Sequence, residues 1–287
     1  MDLHELSKQI KTEDFQNSFK KVIPCKTRNI LGEMSVVEIE NRLNKIFADT
    51  INAREEIEWE LYRIYYIAAW YKLYGSLNLP VELSIYEIAT GDTVYVPQAL
   101  DIYSGNRGKY VTLNLNKELS ASFRSKTENM GADVRIIEDN GINVLNYYAE
   151  NTFDVVAFQH AVNDIVQTIV ADIEGIDTVR SNWWATEPQM LRAVFRNYQA
   201  GKLKDVACQK FIDIIKVCCK SLKDGGYLIF NNCTFNADYA AGDYSMEFHS
   251  LYIDIAREWI AEANLGLEEL EIQGYQSKWW MILKKNF

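Results

Sequence analysis

From Pro80 onward, short apolar runs alternate with segments long enough to form helices. The runs are VELSIYE, KYVTLNL, DVRII, FDVVAF and GGYLIFNN, with pieces such as KELSASFRSKTENMG and VACQKFIDIIKVCCKSLK between them. This alternation favours a parallel sheet with helices on both faces, since parallel strands need long crossover connections. The chain ends with LEELEIQGYQ and KWWMILKK, which predict an antiparallel hairpin. We therefore predict an α/β fold over residues 81–287, a doubly wound and mostly parallel sheet closed by that hairpin.

Residues 1–80 have a different pattern and predict a helical cap or arm. From Ser35 to about Tyr74, apolar residues recur at steps of three and four, which is the period of a helix face. Ser35 and Glu38 have the spacing of a capping box at the start of this stretch. Its tyrosines are expected to close over the mouth of a site, although an aromatic stripe at helical spacing more often belongs to a core. They are Tyr62, Tyr65, Tyr66, Tyr71 and Tyr74.

Charge and cysteine content limit the classes of partner. The 287 residues include 30 basic and 40 acidic side chains, a formal net charge of -10 that disfavours nucleic acid or an anionic membrane as a partner. The five cysteines form no C-x-x-C pair, which indicates reduced thiols. No apolar run approaches the roughly 18 residues of a membrane span. We expect a soluble, cytoplasmic protein with a small-molecule partner, no nucleic-acid or membrane partner and no metal, and we leave homo-oligomers open.

The loop after the first predicted strand is the first candidate binding element. Ligands of doubly wound sheets bind at the carboxyl ends of the strands where the strand order reverses. Here the strand ends at Glu87, whose carboxylate can accept hydrogen bonds from the turn or from a ligand ammonium. Gly91 then lets a ligand approach the main chain. The stretch EIATGDT departs from G-x-G-x-x-G, which disfavours a hydride-transfer enzyme, and an ordinary strand-to-helix turn explains it equally well.

The ends of the second and third strands carry polar residues suited to a nucleoside. Asn114 follows the second strand, where such sheets hold ribose hydroxyls, and its amide can both donate and accept hydrogen bonds. Asp139 and Asn140 follow the third strand and suit the amino edge of adenine. A plain turn built from Asp, Asn and Gly explains that pair as well.

In this order, the pieces resemble the class I S-adenosylmethionine-dependent methyltransferase family over roughly Glu82 to Phe287. The resemblance is carried by YEIATGDT, VTLNLNKEL, IIEDN, FDVVAFQHAVND, LKDGGYLIF and the terminal hairpin. The family commonly has glycine where this chain has Ala89 and Thr93, and an acid where it has Asn114. The resemblance implies a seven-stranded sheet, S-adenosylmethionine as cofactor, and methyl transfer to an oxygen or nitrogen of a small-molecule acceptor.

The resemblance also implies a set of site residues. The cofactor is expected to contact Glu87, Ala89, Gly91, Thr93, Asn114, Leu115, Asp139, Asn140 and Gln159. His160, directly after the fourth strand, is expected to act as the base or to orient the acceptor, with a structural histidine as the alternative. Asp164 is the second catalytic candidate and Asn163 a substrate contact, although Asp164 as a helix cap is the alternative.

About 40 residues separate Asp164 from the next helix, near Val206, far more than the roughly 2 to 6 usual in such connections. We predict a helical lid at about 165–205. It contains Trp183 and Trp184, which are not expected to face the same side of a regular element, so one is expected to meet the substrate. Packing of both in the lid or in an oligomer contact is the alternative. His249 is a further substrate candidate, with a surface position on a helix as its alternative.

Two other functions stay open at this stage. A cofactor-binding module without turnover would account for the departures at Ala89 and Asn114. A protein methyltransferase would suit the acidic charge, since acidic surfaces attract basic partners.

Overall fold

The computed structural model describes residues 1–48, 50–234 and 244–286. Its centre is a seven-stranded sheet with the strand order β3-β2-β1-β4-β5-β7-β6. The strands are β1 Ser84–Ile88, β2 Lys109–Leu113, β3 Asp133–Ile137, β4 Phe153–Gln159, β5 Leu222–Asn231, β6 Leu267–Glu269 and β7 Trp280–Lys285. Strands β1 to β5 pair in parallel, and β7 runs antiparallel to both β5 and β6. The predicted fold class, with its terminal hairpin, is confirmed.

Helices cover both faces of this sheet. They are α1 Leu3–Ile10, α2 Glu13–Phe19, α3 Cys25–Glu33, α4 Val36–Ile46, α5 Glu56–Ser76, α6 Tyr95–Ser104, α7 Lys117–Thr127, α8 Ala161–Glu174, α9 Trp183–Gln199, α10 Leu203–Ser221, α11 Met246–His249 and α12 Tyr252–Ala263. A short 3₁₀ helix, Gly141–Asn146, follows β3. Among the described residues, no helix is both long and apolar enough to cross a bilayer.

Successive residues of the central strands alternate between two hydrophobic cores. Ile85 and Val155 lie in the core that α5 shares with the sheet, whereas Tyr86 and Val156 lie in the core shared with α8, α10 and α12. This two-residue period follows from the pleat, which points neighbouring side chains to opposite faces. Strands β1 and β4 are therefore covered on both sides, and their carboxyl ends form the opening of a cleft.

The helical run predicted from Ser35 consists of two helices, α4 and α5. Its start is as predicted, because Ser35 accepts a hydrogen bond from the Glu38 amide and Glu38 accepts one from the Ser35 amide. A second cap begins α5, where the Glu58 carboxylate accepts from the Glu55 amide. Periodicity alone does not reveal the break, because both helices bury their apolar faces in the same core.

The predicted lid begins later than residue 165, which lies inside α8. The additional segment comprises a loop at 175–182 and helix α9, both placed between α8 and α10. Leu191 and Val194 of α9 are buried in the second core. Helix α9 is thus packed on the domain, and the loop at 175–182 is the part that borders the cleft.

Candidate functional site

The loop after β1 has a backbone that usually requires glycine at two positions. Ala89 has φ 53° and Gly91 has φ 58°, both in the left-handed region. This conformation costs roughly 1 to 2 kcal/mol for a residue with a Cβ atom, and Gly91 avoids that cost. The turn is closed reciprocally, since the Thr90 hydroxyl donates to the Thr93 carbonyl at 3.1 Å and the Thr93 hydroxyl donates to the Thr90 carbonyl at 3.0 Å. The loop therefore keeps a glycine-type path although alanine and threonine stand at two of its positions.

Glu87 lies beneath this loop and is 1% exposed. One carboxyl oxygen accepts a hydrogen bond from the Tyr110 hydroxyl at 2.6 Å. The other, Oε1, is buried and has no hydrogen-bond partner among the described residues. Burial raises the pKa of Glu87 to about 8, so the group is mainly a neutral acid at pH 7.

Asn114 connects the end of β2 to the same loop. Its side-chain Nδ2 donates to the main-chain carbonyl of Gly91 at 2.8 Å. A carboxylate in this place could not donate and would set oxygen against oxygen. The side-chain amide of Asn114 therefore stabilises the structure by holding the loop against the end of β2.

A cavity of about 740 Å³ opens at these strand ends, within the range of roughly 300 to 1,000 Å³ typical of small-molecule sites. Its walls come from the β1 loop, the ends of β2 and β4, the 3₁₀ helix, α8 and the loop at 175–182. The predicted residues that line it are Ala89, Gly91, Thr93, Asn114, Leu115, Asn140, Gln159, His160, Asp164, Trp183 and Trp184. Those outside its lining are Glu87, Asp139, Asn163 and His249.

Asp139 and Asn140 have different roles in the turn after β3. Asp139 accepts hydrogen bonds from Asn143 Nδ2 and the Tyr147 hydroxyl, each at 2.9 Å, and the Asn143 bond is the largest cause of its lowered pKa. Asn140 accepts from the Ile142 amide and begins the 3₁₀ helix. Only Asn140 borders the cavity. Asp139 instead stabilises the turn, as the alternative interpretation of this pair expected.

Gln159 is held by two neighbouring elements. Trp70 Nε1 of α5 donates to Gln159 Oε1 at 2.5 Å, and Gln159 Nε2 donates to Asn231 Oδ1 at 3.1 Å. The side chain thus links β4 to α5 and to the end of β5, and it presents a fixed polar edge to the cavity.

His160 begins α8 in a left-handed conformation, with φ 53°. Its Nδ1 lies 3.3 Å from the Tyr62 hydroxyl and 3.8 Å from Cys233 Sγ, and the Tyr66 ring meets the imidazole edge to face at 4.7 Å between centroids. Burial lowers the pKa of His160 to about 3, with a smaller contribution from His249, so the imidazole is neutral at pH 7. Tyr62 and Tyr66 thus contact His160 from the core side, whereas no tyrosine among the described residues lines the main cavity, and sequence reasoning missed Cys233.

Asp164 lies one helical turn after His160. Asn163 Nδ2 donates to its carboxyl at 2.6 Å. Burial, together with Glu187 from α9, raises the pKa of Asp164 well above its usual value. Asp164 does not cap α8, whose N-cap is His160. Asp164 lies at the cavity wall, and Glu187 is a residue that sequence reasoning missed.

His249 lies on α11 and is buried, so a surface position is excluded for it. Its Nδ1 is 2.8 Å from the Tyr244 hydroxyl, and burial lowers its pKa to about 4. It is a neutral histidine outside the lining of the main cavity.

The two adjacent tryptophans both border the cavity. They occupy the first turn of α9, and Trp184 remains 54% exposed. The expectation that only one of them faces the site is wrong, because successive residues of a helix are about 100° apart and can border the same broad opening.

The loop at 175–182 is tied to the start of α7. Asn116 Nδ2 donates to the carbonyls of Ser181, at 3.2 Å, and Thr178, at 3.4 Å, while its Oδ1 caps α7 by accepting from the Leu119 amide. Asn182 Nδ2 donates to Glu118 at 3.2 Å. These bonds hold the loop over the end of β2, beside the cavity.

No protein-family model and no curated protein sequence matches this chain. Solved structures align with it at low identity. A protein provisionally named an rRNA methylase from Clostridium thermocellum is 11% identical over 71% of this chain and 88% of its own, with a TM-score of 0.39. A methyltransferase dependent on S-adenosylmethionine from Aquifex aeolicus is 12% identical over 74% and 86%, with a TM-score of 0.41. A possible exported protein from Bordetella parapertussis is 8% identical over 99% and 96%, with a TM-score of 0.42.

One expectation about partners needs correction. The exclusion of nucleic acid is wrong, because one of these structurally similar proteins is provisionally named an rRNA methylase. An acidic net charge describes the whole surface and does not decide what a single cleft accepts.

The strand order of the sheet agrees with the resemblance noted in the sequence. The first five strands are parallel, and their order in the sheet reverses between β1 and β4. Strand β7 lies between β5 and β6 and runs antiparallel to both. The glycine-type loop follows β1, and the cavity opens at the carboxyl ends of β1, β2 and β4. The chain has the fold of the class I S-adenosylmethionine-dependent methyltransferases.

Proposed function

We propose that this protein is an S-adenosylmethionine-dependent methyltransferase that acts on a small-molecule acceptor. The observation that carries the proposal is the position of the main cavity. It lies where the strand order reverses, between β1 and β4, and the left-handed loop of Ala89 and Gly91 forms one wall. Doubly wound sheets bind nucleotide-like ligands at this place.

The residues present fit this cofactor. A Cβ atom built on Gly91 would meet only Leu119 Cδ1, at 3.9 Å, so the space beside the Gly91 main chain belongs to the cavity. Asn140 and Leu115 would flank the adenosine, the loop from Ala89 to Gly91 would hold the amino acid part, and His160 borders the reacting end. The volume of about 740 Å³ leaves room for an acceptor as well.

The bound cofactor would supply an electrophilic methyl group on a sulfonium. The remaining tasks of the protein are to align the acceptor and to exclude water, and alignment can contribute about 7 to 11 kcal/mol. The neutral imidazole of His160, located by Tyr62 and Tyr66, would orient the acceptor through a hydrogen bond, because a pKa of about 3 makes it a weak base at pH 7. Asp164, whose pKa is raised well above its usual value by burial and by Glu187, borders the same cavity and would hydrogen-bond the acceptor.

A small acceptor is supported by the surroundings of His160. Tyr62 and Tyr66 from α5 and Cys233 after β5 are each at most 5% exposed and enclose the imidazole on one side. Such an enclosure suits a compact substrate. The free thiols support a reducing, cytoplasmic setting.

A cofactor-binding module without turnover is the second candidate. It is favoured by Asn114, whose donor group is used on the Gly91 carbonyl, and by Ala89, which adds a methyl group to the loop. The two candidates differ in activity but share the binding site.

Two measurements test the proposal. Calorimetry with S-adenosylhomocysteine tests the site, using Gly91→Ala and, as a matched control, Gly105→Ala. Both glycines have the same left-handed backbone, φ 58° and 57°, but Gly105 ends α6 in open surroundings. We expect Gly91→Ala alone to weaken binding. Equal affinity of both variants and the parent would place the ligand elsewhere.

Incubation with labelled S-adenosylmethionine then tests turnover. The acceptors are a metabolite panel, total RNA and a basic protein. Label in a small metabolite supports the proposal. Label in RNA or protein contradicts the acceptor class, and binding without label favours the non-catalytic module.

A further inference from the structure

The main cavity extends beyond the strand ends, along helix α8. Four residues of α8 border it at helical steps of three and four, namely Ile165, Thr168, Ile169 and Asp172. Asp164, which also borders the cavity, lies eight positions before Asp172, about 12 Å along the helix axis. The cavity therefore has a second part, which lies away from the loop of Ala89 and Gly91.

This second part lies between α8, α10 and the loop at 175–182. Helix α10 contributes Ile214 to its walls, and the loop contributes Ile176 and Val179. We call this part the helical chamber and define it by Ile165, Ile169, Ile176, Val179 and Ile214. None of these five residues is among those proposed to hold the cofactor. The helical chamber is therefore space of the main cavity that still needs an occupant.

The charged side chains around the helical chamber have partners of their own. Asp172 pairs with Lys210 at 2.9 Å, and Asp213 pairs with Lys216 at 3.1 Å. Asp177 accepts hydrogen bonds from two main-chain amides of its own turn, at 2.9 and 3.0 Å. The walls that remain for a ligand are aliphatic. They favour a neutral, apolar molecule, because a charge buried without a partner is unfavourable.

Three exposed apolar side chains converge on the same cavity. They are Ile142 of the 3₁₀ helix, Val179 of the loop at 175–182 and Trp184 of α9. These segments are distant from one another in sequence, so the convergence is not a local pattern. Apolar side chains grouped in contact with water are typical of a binding groove. Their exposure is a second indication of an apolar ligand, independent of the volume of the cavity.

The helical chamber begins near the proposed reacting end. Ile165 lies five positions after His160, which begins the same helix, and this is about 8 Å along the helix axis. Both residues border the main cavity. A molecule in the chamber would therefore extend toward His160, beside which we place the methyl group.

We propose that the helical chamber binds the apolar body of a neutral, ring-bearing acceptor. The identity of this occupant as the methyl acceptor rests on the proposed function, whereas the apolar site does not. Trp183 and Trp184 border the same cavity and favour a ring, since aromatic rings pair favourably with one another. The volume of about 740 Å³ is several times the roughly 150 Å³ that holds benzene, so a molecule of one or two rings fits beside the cofactor.

Two probes with the same ring system test the helical chamber. 2-Naphthol is neutral, whereas naphthalene-2-sulfonate carries an anionic group. Binding to the full chain is measured by ligand-observed NMR, with and without saturating S-adenosylhomocysteine. We expect 2-naphthol to bind at least about tenfold more tightly than the sulfonate and to stay bound when S-adenosylhomocysteine is added.

Variants in two matched pairs locate the site. Val179→Ser and Ile142→Ser remove apolar surface from the cavity, whereas Val81→Ser and Ile30→Ser remove the same groups outside its lining. The paired positions are almost equally exposed, 38% and 42% for the valines and 37% and 38% for the isoleucines. We expect the first two variants to weaken 2-naphthol binding several-fold and the two controls to leave it unchanged. Melting temperatures confirm that each variant folds.

The outcomes separate the helical chamber from the proposed function. Displacement of 2-naphthol by S-adenosylhomocysteine would assign the chamber to the cofactor and overturn the proposal. Equal binding of the two probes, no binding in either sample, or equal losses in lining and control variants would overturn it as well. If 2-naphthol binds as expected and S-adenosylhomocysteine does not bind, the proposed function fails while the apolar site stands. Binding of S-adenosylhomocysteine without 2-naphthol overturns only the chamber.

Discussion

The side-chain amide of Asn114 donates to the main-chain carbonyl of Gly91 at 2.8 Å, which joins the end of β2 to the loop after β1. The loop carries Ala89 in a left-handed conformation, so it depends on such contacts to keep its path. An acid at position 114 would lose this bond. The hydrogen bond to Gly91 therefore explains why this chain has asparagine at position 114 where the family pattern has an acid.

The first prediction concerns Asn114→Asp. We expect the free energy of unfolding to fall by about 1 to 3 kcal/mol at pH 7, because a buried carboxylate then faces a carbonyl oxygen. The deficit should shrink toward pH 4, where the protonated carboxyl donates again. Urea denaturation at both pH values measures this. A variant as stable as the parent at pH 7 would show that the hydrogen bond is unimportant.

The second prediction concerns Ala89→Gly. Glycine removes the left-handed strain of roughly 1 kcal/mol, and this gain offsets its greater freedom in the unfolded chain. We expect the free energy of unfolding to change by less than about 0.5 kcal/mol or to rise. Ala121→Gly, at an exposed position of α7, is the control and should lose about 1 kcal/mol. Equal losses at both positions would argue against strain at Ala89.

The third prediction concerns Glu87→Gln. The pKa of Glu87 is raised to about 8, so the folded protein holds a proton that the unfolded chain releases above about pH 4.5. Its contribution to stability is thus complete below pH 4.5 and is lost as the pH rises through 8. We expect the variant to gain stability relative to the parent between pH 5 and pH 8. Urea denaturation across this range measures it, with Glu128→Gln on the exposed end of α7 as the control for losing one carboxyl. A constant difference between variant and parent would contradict the raised pKa.

The fourth prediction concerns catalysis by His160. We expect His160→Ala to bind S-adenosylhomocysteine like the parent and to lose turnover about a hundredfold, because the acceptor is no longer oriented. Because the pKa of His160 is about 3, its contribution to the rate should persist from pH 8 down to pH 5. Binding, melting temperature and rate are measured together. An unchanged rate removes His160 from the chemistry, and a lower melting temperature with an unchanged rate assigns it a structural role.

The fifth prediction concerns the loop at 175–182. Arg180 is exposed, and the loop that contains it borders the main cavity. We expect S-adenosylhomocysteine to slow tryptic cleavage after Arg180. Cleavage after Arg196, within helix α9, serves as the internal reference. Equal cleavage at Arg180 with and without ligands would indicate a rigid insertion.

Much of the fold was predictable because its signals are local. The short apolar runs SIYEI and FDVVAFQ each mark a strand, and helix-length segments between strands imply a parallel sheet. The capping box at Ser35 and Glu38 also lies within four residues. Such patterns depend on the geometry of a single strand or turn, so they can be read without knowing what packs against them. Once the strands were predicted, the positions of Gly91, Gln159 and His160 near the strand ends were predicted as well.

The chemistry of the site was decided by contacts between distant segments. Tyr62 lies 98 positions from His160 and 171 from Cys233, yet these three side chains meet. The raised pKa of Glu87 and the break between α4 and α5 depend likewise on what packs against each element. The sequence determined which residues reach the carboxyl edge of the sheet. Only the tertiary structure decided which of them are buried, and burial sets their protonation and the groups they can bind.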